Sequence, residues 1–387
     1  MAFFGTLVLY VTMACAVSGC IVSIFWKEQA YGKQFLEGVE TLGSLFIPVA
    51  GVMAALPFLT KFVLSVTGPL FALFGSDPSM AATTFIATDM GGYQLSHAVM
   101  GSKESWAVAI CNGLMAGATI VFSFPIAMKV LPEKNHNALA LGMLFGFISI
   151  PFGVFISALS LKGVAIRPDC TVSGDASYVL HLTTSGILRD LCPLLVICFF
   201  FAIVLRLFPR GTVRVAKWCG TMLDAALRIV FVLCVVQYFT HLFPFWKFDP
   251  IIADATDTNR ALEMCGYIAI MLSGAYPMVY LLSRWFSAPL GKLGKRFGFS
   301  GLMVTGLLAS LANSIALFRL VPQMDEDNQV EAIAFSVGAS FMIGDHLAFI
   351  ATWQPTMLAA VMAGKLSSGI IALTLSRLYL KKRSLSS

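Results

Sequence analysis

Apolar runs about twenty residues long recur from one end of the chain to the other, and they restrict the fold more than any other feature. A helix crosses the hydrocarbon core of a bilayer in roughly 20 mostly apolar residues. Such windows fall near 4 to 25, 36 to 60, 79 to 99, 104 to 131, 136 to 160, 187 to 208, 219 to 244, 261 to 283, 301 to 321, 330 to 351 and 355 to 377. A shorter apolar stretch at 62 to 75 contains Pro69 and reads as a re-entrant piece or a short span. The 387 residues are 58% hydrophobic and 12% charged, with mean hydropathy +0.84, which excludes an ordinary soluble composition. The expected fold is an all-α polytopic membrane protein of roughly 10 to 12 transmembrane helices, forming one integral membrane domain over residues 1–387. Met1 to Phe25 is apolar almost from its first residue and lacks a basic leader or small-residue cleavage site, so it reads as a retained first span rather than a signal peptide.

The net charge of +6 does not point to nucleic acid, because the basic residues are scattered singly or gathered in short loops between spans, as orientation signals are. Arg206, Arg210, Arg214 and Lys217 form one cluster, and Arg284, Lys292, Lys295 and Arg296 another. Both are expected in the cytoplasm, together with Arg377, Lys381, Lys382 and Arg383. Asp325-Glu326-Asp327 and the stretch holding Asp249, Asp254 and Asp257 are expected outside. Three full spans between Arg296 and Arg377 would put the C-terminus outside, so one segment is expected to re-enter; 301 to 321, interrupted by Ser310, Asn313 and Ser314, is the candidate. Nine cysteines show no C-x-x-C or Cys/His ligand spacing, and all but Cys170 lie in or beside apolar stretches, so they read as reduced core residues rather than as disulfide or metal ligands. Neither G-x-S-x-G nor H-E-x-x-H occurs, which argues against an enzyme and offers no cofactor motif.

Within the apolar segments a few polar residues need a reason. An acidic side chain at mid-bilayer costs roughly 2.5 to 3.5 kcal/mol on insertion scales, so one that is kept faces a cavity or a partner. Asp89 is followed by Gly91 and Gly92, which weaken a helix and let its backbone turn toward a ligand; this predicts a broken helix with a cation-attracting centre. Tyr93, four residues on, is expected to share the face of Asp89, and Tyr276 is a second aromatic for cation–π contact with an ammonium. Asp345 and His346 form either a proton relay, or second cation site, or a packing hydrogen bond. Asn313, with Ser310 and Ser314, supplies carbonyl, amide and hydroxyl groups suited to a substrate hydroxyl, to sodium, or to plain interhelical bonding. Asp224 and Arg228, one helical turn apart, are read as a structural ion pair, and Trp285 beside Arg284 as an interface anchor.

An internal repeat is visible. Ala55-Leu56-Pro57 followed by Pro69-Leu70 recurs as Ala275-Tyr276-Pro277 followed by Pro289-Leu290 at the same spacing; further on, the Asp89 interruption aligns with Ala312-Asn313-Ser314 and Gly113 with Gly338. The halves run approximately 36–160 and 261–378. Interruptions at corresponding positions of two halves mark the binding site of many secondary transporters.

Asp77-Pro78-Ser79-Met80, Thr88-Asp89-Met90-Gly91-Gly92, Thr119 to Pro125, Gly274-Ala275-Tyr276-Pro277-Met278-Val279, Arg284-Trp285-Phe286, Leu311-Ala312-Asn313 and Gly344-Asp345-His346-Leu347 occur in order over most of the chain. In these residues the chain resembles the ethanolamine permease family of bacterial ethanolamine-utilisation operons. It departs from the family where Ser314 and Ala316 replace an Asn and a Pro, and where Ala348 replaces a Gly. The resemblance implies a multi-pass protein of the bacterial inner membrane that imports ethanolamine. With an amine pKa near that of lysine, roughly 10, ethanolamine is almost wholly cationic at neutral pH. The expected mechanism is alternating access, with Asp89 pairing the ammonium, Gly91 and Gly92 shaping the break, Tyr93 or Tyr276 shielding the charge, and Ser310 or Asn313 bonding the hydroxyl. Asp345 and His346 are the candidate site for a coupling proton or sodium ion. The alternatives are a passive facilitator and a carrier of a related small amine or cation.

Overall fold

The computed structural model describes residues 2–386, apart from 173, 243, 244, 256 and 297. The side chains of Arg210 and Lys295, two members of the expected basic clusters, also lie outside the described residues. The described chain is helical almost throughout. Its only described strands are β1 (Ala165–Ile166) and β2 (Tyr178–Val179), antiparallel and two residues each, pairing Ala165 with Val179 and Ile166 with Tyr178.

The helices are α1 (Ala2–Phe25), α2 (Ala30–Ala54), α3 (Leu56–Phe62), α4 (Gly68–Ala72), α5 (Pro78–Phe85), α6 (Gly92–Val99), α7 (Lys103–Asn112), α8 (Phe124–Val130), α9 (His136–Ser160), α10 (Thr184–Leu207), α11 (Pro209–Thr240), α12 (Ala261–Arg296), α13 (Gly301–Ala312), α14 (Ser314–Leu320), α15 (Glu326–Ala339), α16 (Asp345–Trp353) and α17 (Leu358–Ser386). Eight stretches among the described residues are long and apolar enough to cross a membrane, and Leu56–Ala72 and Gly301–Ala312 are shorter apolar helices. The protein is thus an all-α membrane protein with broken helices. Two π-helical turns, Gly113–Gly117 and Thr119–Ser123, join α7 to α8 within one crossing; such bulges collect at functional sites.

Two of the apolar segments do not cross. Asp77 caps α5 by accepting from Ser79 N at 2.8 Å, and its other oxygen accepts from Gly101 N at 2.8 Å and Ser102 N at 3.2 Å. The residues on either side of α5 and α6 therefore meet, and the pair is a hairpin. The second hairpin is α13 and α14. Ser300, which caps α13, accepts from Asn328 Nδ2 at 3.4 Å, so the chain returns to the end it left. This is the segment 301 to 321 expected to re-enter. Its arms, of 12 and 7 residues, extend about 18 and 10 Å, too short for a bilayer core of about 30 Å.

The hairpins enter from opposite ends. At the mouth of the second, Asn135 Nδ2 donates to Gln329 Oε1 at 2.8 Å, which places the start of α9 there. At the other end of α9, Lys162 Nζ donates to Thr184 Oγ1 at 2.8 Å. That end carries the mouth of the first hairpin, where Ser76 Oγ donates to Asp190 O at 3.1 Å and Asp77 N to Asp190 Oδ1 at 3.2 Å. The 25 residues of α9, about 37 Å long, separate the two mouths.

One expectation about the loops is corrected. Asp325-Glu326-Asp327 does not lie opposite the basic clusters: Arg377 Nε is 3.5 Å from Glu331, its guanidinium stacks 4.5 Å from the ring of Phe299, and Asn328 touches Ser300. The acidic run shares an end with Arg296 and Arg377 because the second hairpin turns back, and acidic residues weigh little in setting orientation. At the other end Arg260, itself buried, pairs with Asp249 at 2.6 Å and Asp254 at 3.1 Å. Burial opposes the charge of Arg260, but the hydrogen bond to Asp249 and the charges of Asp249, Asp254 and Asp257 together outweigh it and hold the guanidinium above its ordinary range. Asp224 and Arg228 pair at 3.1 Å with both side chains about half exposed, a structural contact as the spacing suggests. All nine cysteines are free.

Candidate functional site

The first hairpin reverses at its tip through residues ill suited to continuous helix. Ile86 leaves α5 in extended conformation, Thr88–Met90 form one 3₁₀ turn, and Gly91 takes φ +94°. A side chain on Gly91 would be strained by that backbone and would press on Val52 Cγ1 at 2.6 Å; one on Gly92 would lie 2.6 Å from the carbonyl oxygens of both Ile86 and Ala87. The tip is fastened to the neighbouring crossing. Thr88 Oγ1 donates to Ile110 O at 2.9 Å, and Asn112 Nδ2 donates to Thr84 Oγ1 at 2.9 Å and Thr83 Oγ1 at 3.1 Å.

The facing wall is a second break, between α15 and α16. Phe341 adopts φ +62°, a left-handed conformation uncommon for a bulky residue, which marks strain of the kind found at functional sites. The tip of the second hairpin holds it there: Phe341 N donates to Ser310 O at 3.1 Å and Ile343 N to Leu311 O at 2.9 Å. Gly344 lies so close to Ala312 O that a Cβ would overlap it. Asp345 and His346 then open α16.

These breaks bring Asp89, Asp345 and His346 around one small cavity of about 20 Å³, lined as well by Leu45, Ala87, Met90, Ala118, Phe122 and Phe341. That volume holds about one water. His346 Nε2 is 3.8 Å from Asp89 Oδ2, beyond hydrogen-bond length. Asp89 Oδ1 and His346 Nδ1 are buried with no hydrogen-bond partner among the described residues. Buried polar atoms left unpaired are costly, and here they border the same space, as they would in a site awaiting a polar ligand. The rings of Phe122 and Phe341 meet edge to face at 5.6 Å along one side of it.

Of the other residues singled out in the sequence, Tyr276 reaches the cluster, its hydroxyl donating to Asp345 Oδ1 at 3.4 Å. Tyr93 does not line the cavity. The left-handed turn at Gly91 cancels the helical spacing that would put it beside Asp89. Its ring is fully buried among Trp106, Phe349 and Trp353, and its hydroxyl accepts from Gln354 Nε2 at 2.8 Å. Asn313 Oδ1 caps α14 through Ile315 N at 2.8 Å, and Ser310 Oγ donates to Leu307 O at 2.7 Å. Both residues shape the hairpin tip that supports Phe341, and neither lines the cavity.

Sequence reasoning overlooked three groups. Lys365, the eighth residue of α17, is fully buried, and its Nζ donates to Leu114 O in the π-helical turn Gly113–Gly117 at 2.7 Å. Gln354 ties Tyr93 to the backbone of Arg167 at 2.9 Å, while Arg167 Nη1 donates to Thr352 O at 2.7 Å. The available signal was the cost of intramembrane charge, which applies to a lysine as to an aspartate.

The model of the ethanolamine utilisation protein EutH family matches residues 4–379. A protein of Listeria monocytogenes named probable ethanolamine permease EutH is 30% identical over 97% of this chain and 94% of its own length. Proteins of the same name from Salmonella typhimurium and Escherichia coli are each 33% identical over 91% of this chain and 86% of theirs. No solved structure matches the chain. With its long apolar helices and permease relatives, the chain is a multi-pass protein of the bacterial inner membrane. A family match across nearly the whole length, joined to relatives at this identity, means that the chain belongs to the EutH family of ethanolamine utilisation proteins.

Proposed function

We propose that this protein carries ethanolamine, in its ammonium form, across the inner membrane by alternating access, with Asp89 as the residue that pairs the ammonium. The observation that carries the reading is the cavity between the two breaks, where Asp89 and Asp345 supply negative charge and Asp89 Oδ1 has no partner among the described residues. A small primary ammonium suits such a place, because it offers donors and a positive charge to acceptors that have neither. Tyr276 is the aromatic neighbour, and its hydroxyl orients Asp345.

The cavity is far too small to admit the substrate, so this conformation is closed to both sides. Toward the end that carries the 161–183 connection, the path is sealed by Tyr93, Gln354 and Arg167; elsewhere Phe122 and Phe341 close over it. Opening requires one hairpin to withdraw from the 340–344 break. Hairpins entering from opposite ends, together with the recurrence of Pro57 and Pro69 as Pro277 and Pro289, support an inverted repeat of halves near 36–160 and 261–378. In such a repeat either hairpin can serve as the gate for its own side.

The test is calorimetric titration of the purified protein with ethanolamine. Removing one partner of a buried charge pair costs about 2–5 kcal/mol, so Asp89→Asn should bind at least about 30-fold more weakly while remaining folded. Equal affinity in the two proteins would reject Asp89 as the ammonium partner.

A further inference from the structure

Lys365 is a buried cation inside an apolar helix that the transport reading leaves unused. Its side chain is fully buried at the eighth residue of α17, within a stretch apolar and long enough to cross a membrane. Among the described residues its ammonium makes a single hydrogen bond, to Leu114 O, an acceptor without formal charge. That carbonyl lies four residues beyond Ile110, on which Thr88, the neighbour of Asp89, is fastened. Ala118, four residues beyond Leu114 on the same crossing, lines the cavity together with Asp89 and His346. A cation so placed in low dielectric needs a counter-charge nearby, and Asp89 and Asp345 are the carboxylates of the cavity.

We propose that Lys365 is the built-in counter-cation of the site and fixes its charge count, so that the cavity accepts one positive charge per cycle: a substrate ammonium in one direction and a proton in the other. This rests on the transport reading above. With His346 neutral, the two carboxylates Asp89 and Asp345 and the single ammonium of Lys365 leave the closed site one positive charge short. A bound ammonium makes up the difference. When the substrate leaves, a proton from the water on that side joins the carboxylates, crosses with the returning carrier and is released on the other side. Moving an uncompensated charge through the bilayer interior would otherwise oppose every return step. The remaining groups near the site do not alter the count. Tyr276 on α12 and Cys111 on α7 are uncharged in their ordinary forms, and Glu37 on α2 is surface-exposed and does not line the cavity.

The experiment uses the full chain in proteoliposomes at clamped membrane potential, with radiolabelled ethanolamine and an internal pH dye. Net uptake by the wild type should move about one proton outward per substrate. Counterflow of labelled against unlabelled ethanolamine uses only the loaded carrier, already neutral, and should be flat between about pH 6 and 8. Lys365→Gln keeps a donor for Leu114 O but removes the charge, so its loaded site needs an extra proton. Its counterflow should fall with rising pH, by up to about tenfold per unit. Lys365→Arg should keep the flat profile, and Asp345→Asn in the Lys365→Gln background should restore it, because the count returns to that of the wild type. A flat profile for Lys365→Gln, or wild-type net uptake with no opposing proton movement, overturns the inference and leaves the transport reading standing. Absence of any wild-type counterflow overturns both.

Discussion

At the scale of single residues, the site is built from side chains whose presence in an apolar segment is expensive. Asp89, Asp345 and His346 could be singled out in the sequence for that reason alone, and the fold gathers them around one cavity. Lys365 carries the same cost, but a lone basic residue in an apolar run also reads as an orientation signal, and the sequence does not separate the two roles. The sequence marks Tyr93 but not its packing role, since its ring contacts with Phe349 and Trp353 and its bond to Gln354 involve residues more than two hundred positions away. Gly91 gives a direct test of the break. An alanine there must take φ +94°, which costs about 1–2 kcal/mol, and its Cβ must also displace Val52. Gly91→Ala should therefore lower the midpoint of thermal unfolding in detergent, whereas an unchanged midpoint would mean that the tip relaxes freely.

At the scale of elements, the two hairpins were only partly readable. Asn313 and its flanking serines announced an interruption in 301 to 321, and the conflict in loop charges required that segment to turn back. The break at 340–344 carries no proline and a single glycine, and it exists because the second hairpin's backbone binds Phe341 and Ile343; no local signal encodes that. The side of the acidic run at 325–327 is hidden for the same reason, since it depends on whether the preceding segment crosses. Asp77 is the latch of the first hairpin, with its carboxylate accepting three backbone N–H groups. Hydrogen bonds to a charged acceptor contribute about 1.5–3 kcal/mol each before non-additivity. Asp77→Ala should cost about 2–3 kcal/mol and raise amide exchange across residues 78–99 while leaving residues 301–320 protected. Equal exchange in both hairpins would show that Asp77 does not act locally.

At the scale of the whole molecule, the organising fact is that the hairpins enter from opposite ends of α9 and meet one broken crossing between their tips. The apolar runs made the helical membrane fold legible at once, whereas the number of crossings was not, because helix length alone does not separate a hairpin from a span. If the basic clusters lie in the cytoplasm, the exposed Asp327 and Lys162 face opposite compartments. In a cysteine-free background, a membrane-impermeant maleimide added to intact cells should label Lys162→Cys and spare Asp327→Cys; labelling of both would contradict the arrangement. The physiological consequence concerns pH. The neutral fraction of ethanolamine, which crosses lipid unaided, falls about tenfold for each unit of acidification, so growth on scarce ethanolamine should depend on the protein most strongly in acid medium. Most direct for the central claim is uptake of labelled ethanolamine into proteoliposomes holding the wild type or Asp89→Asn. The account predicts saturable uptake by the wild type and background uptake by the variant, and equal uptake by the two would contradict it.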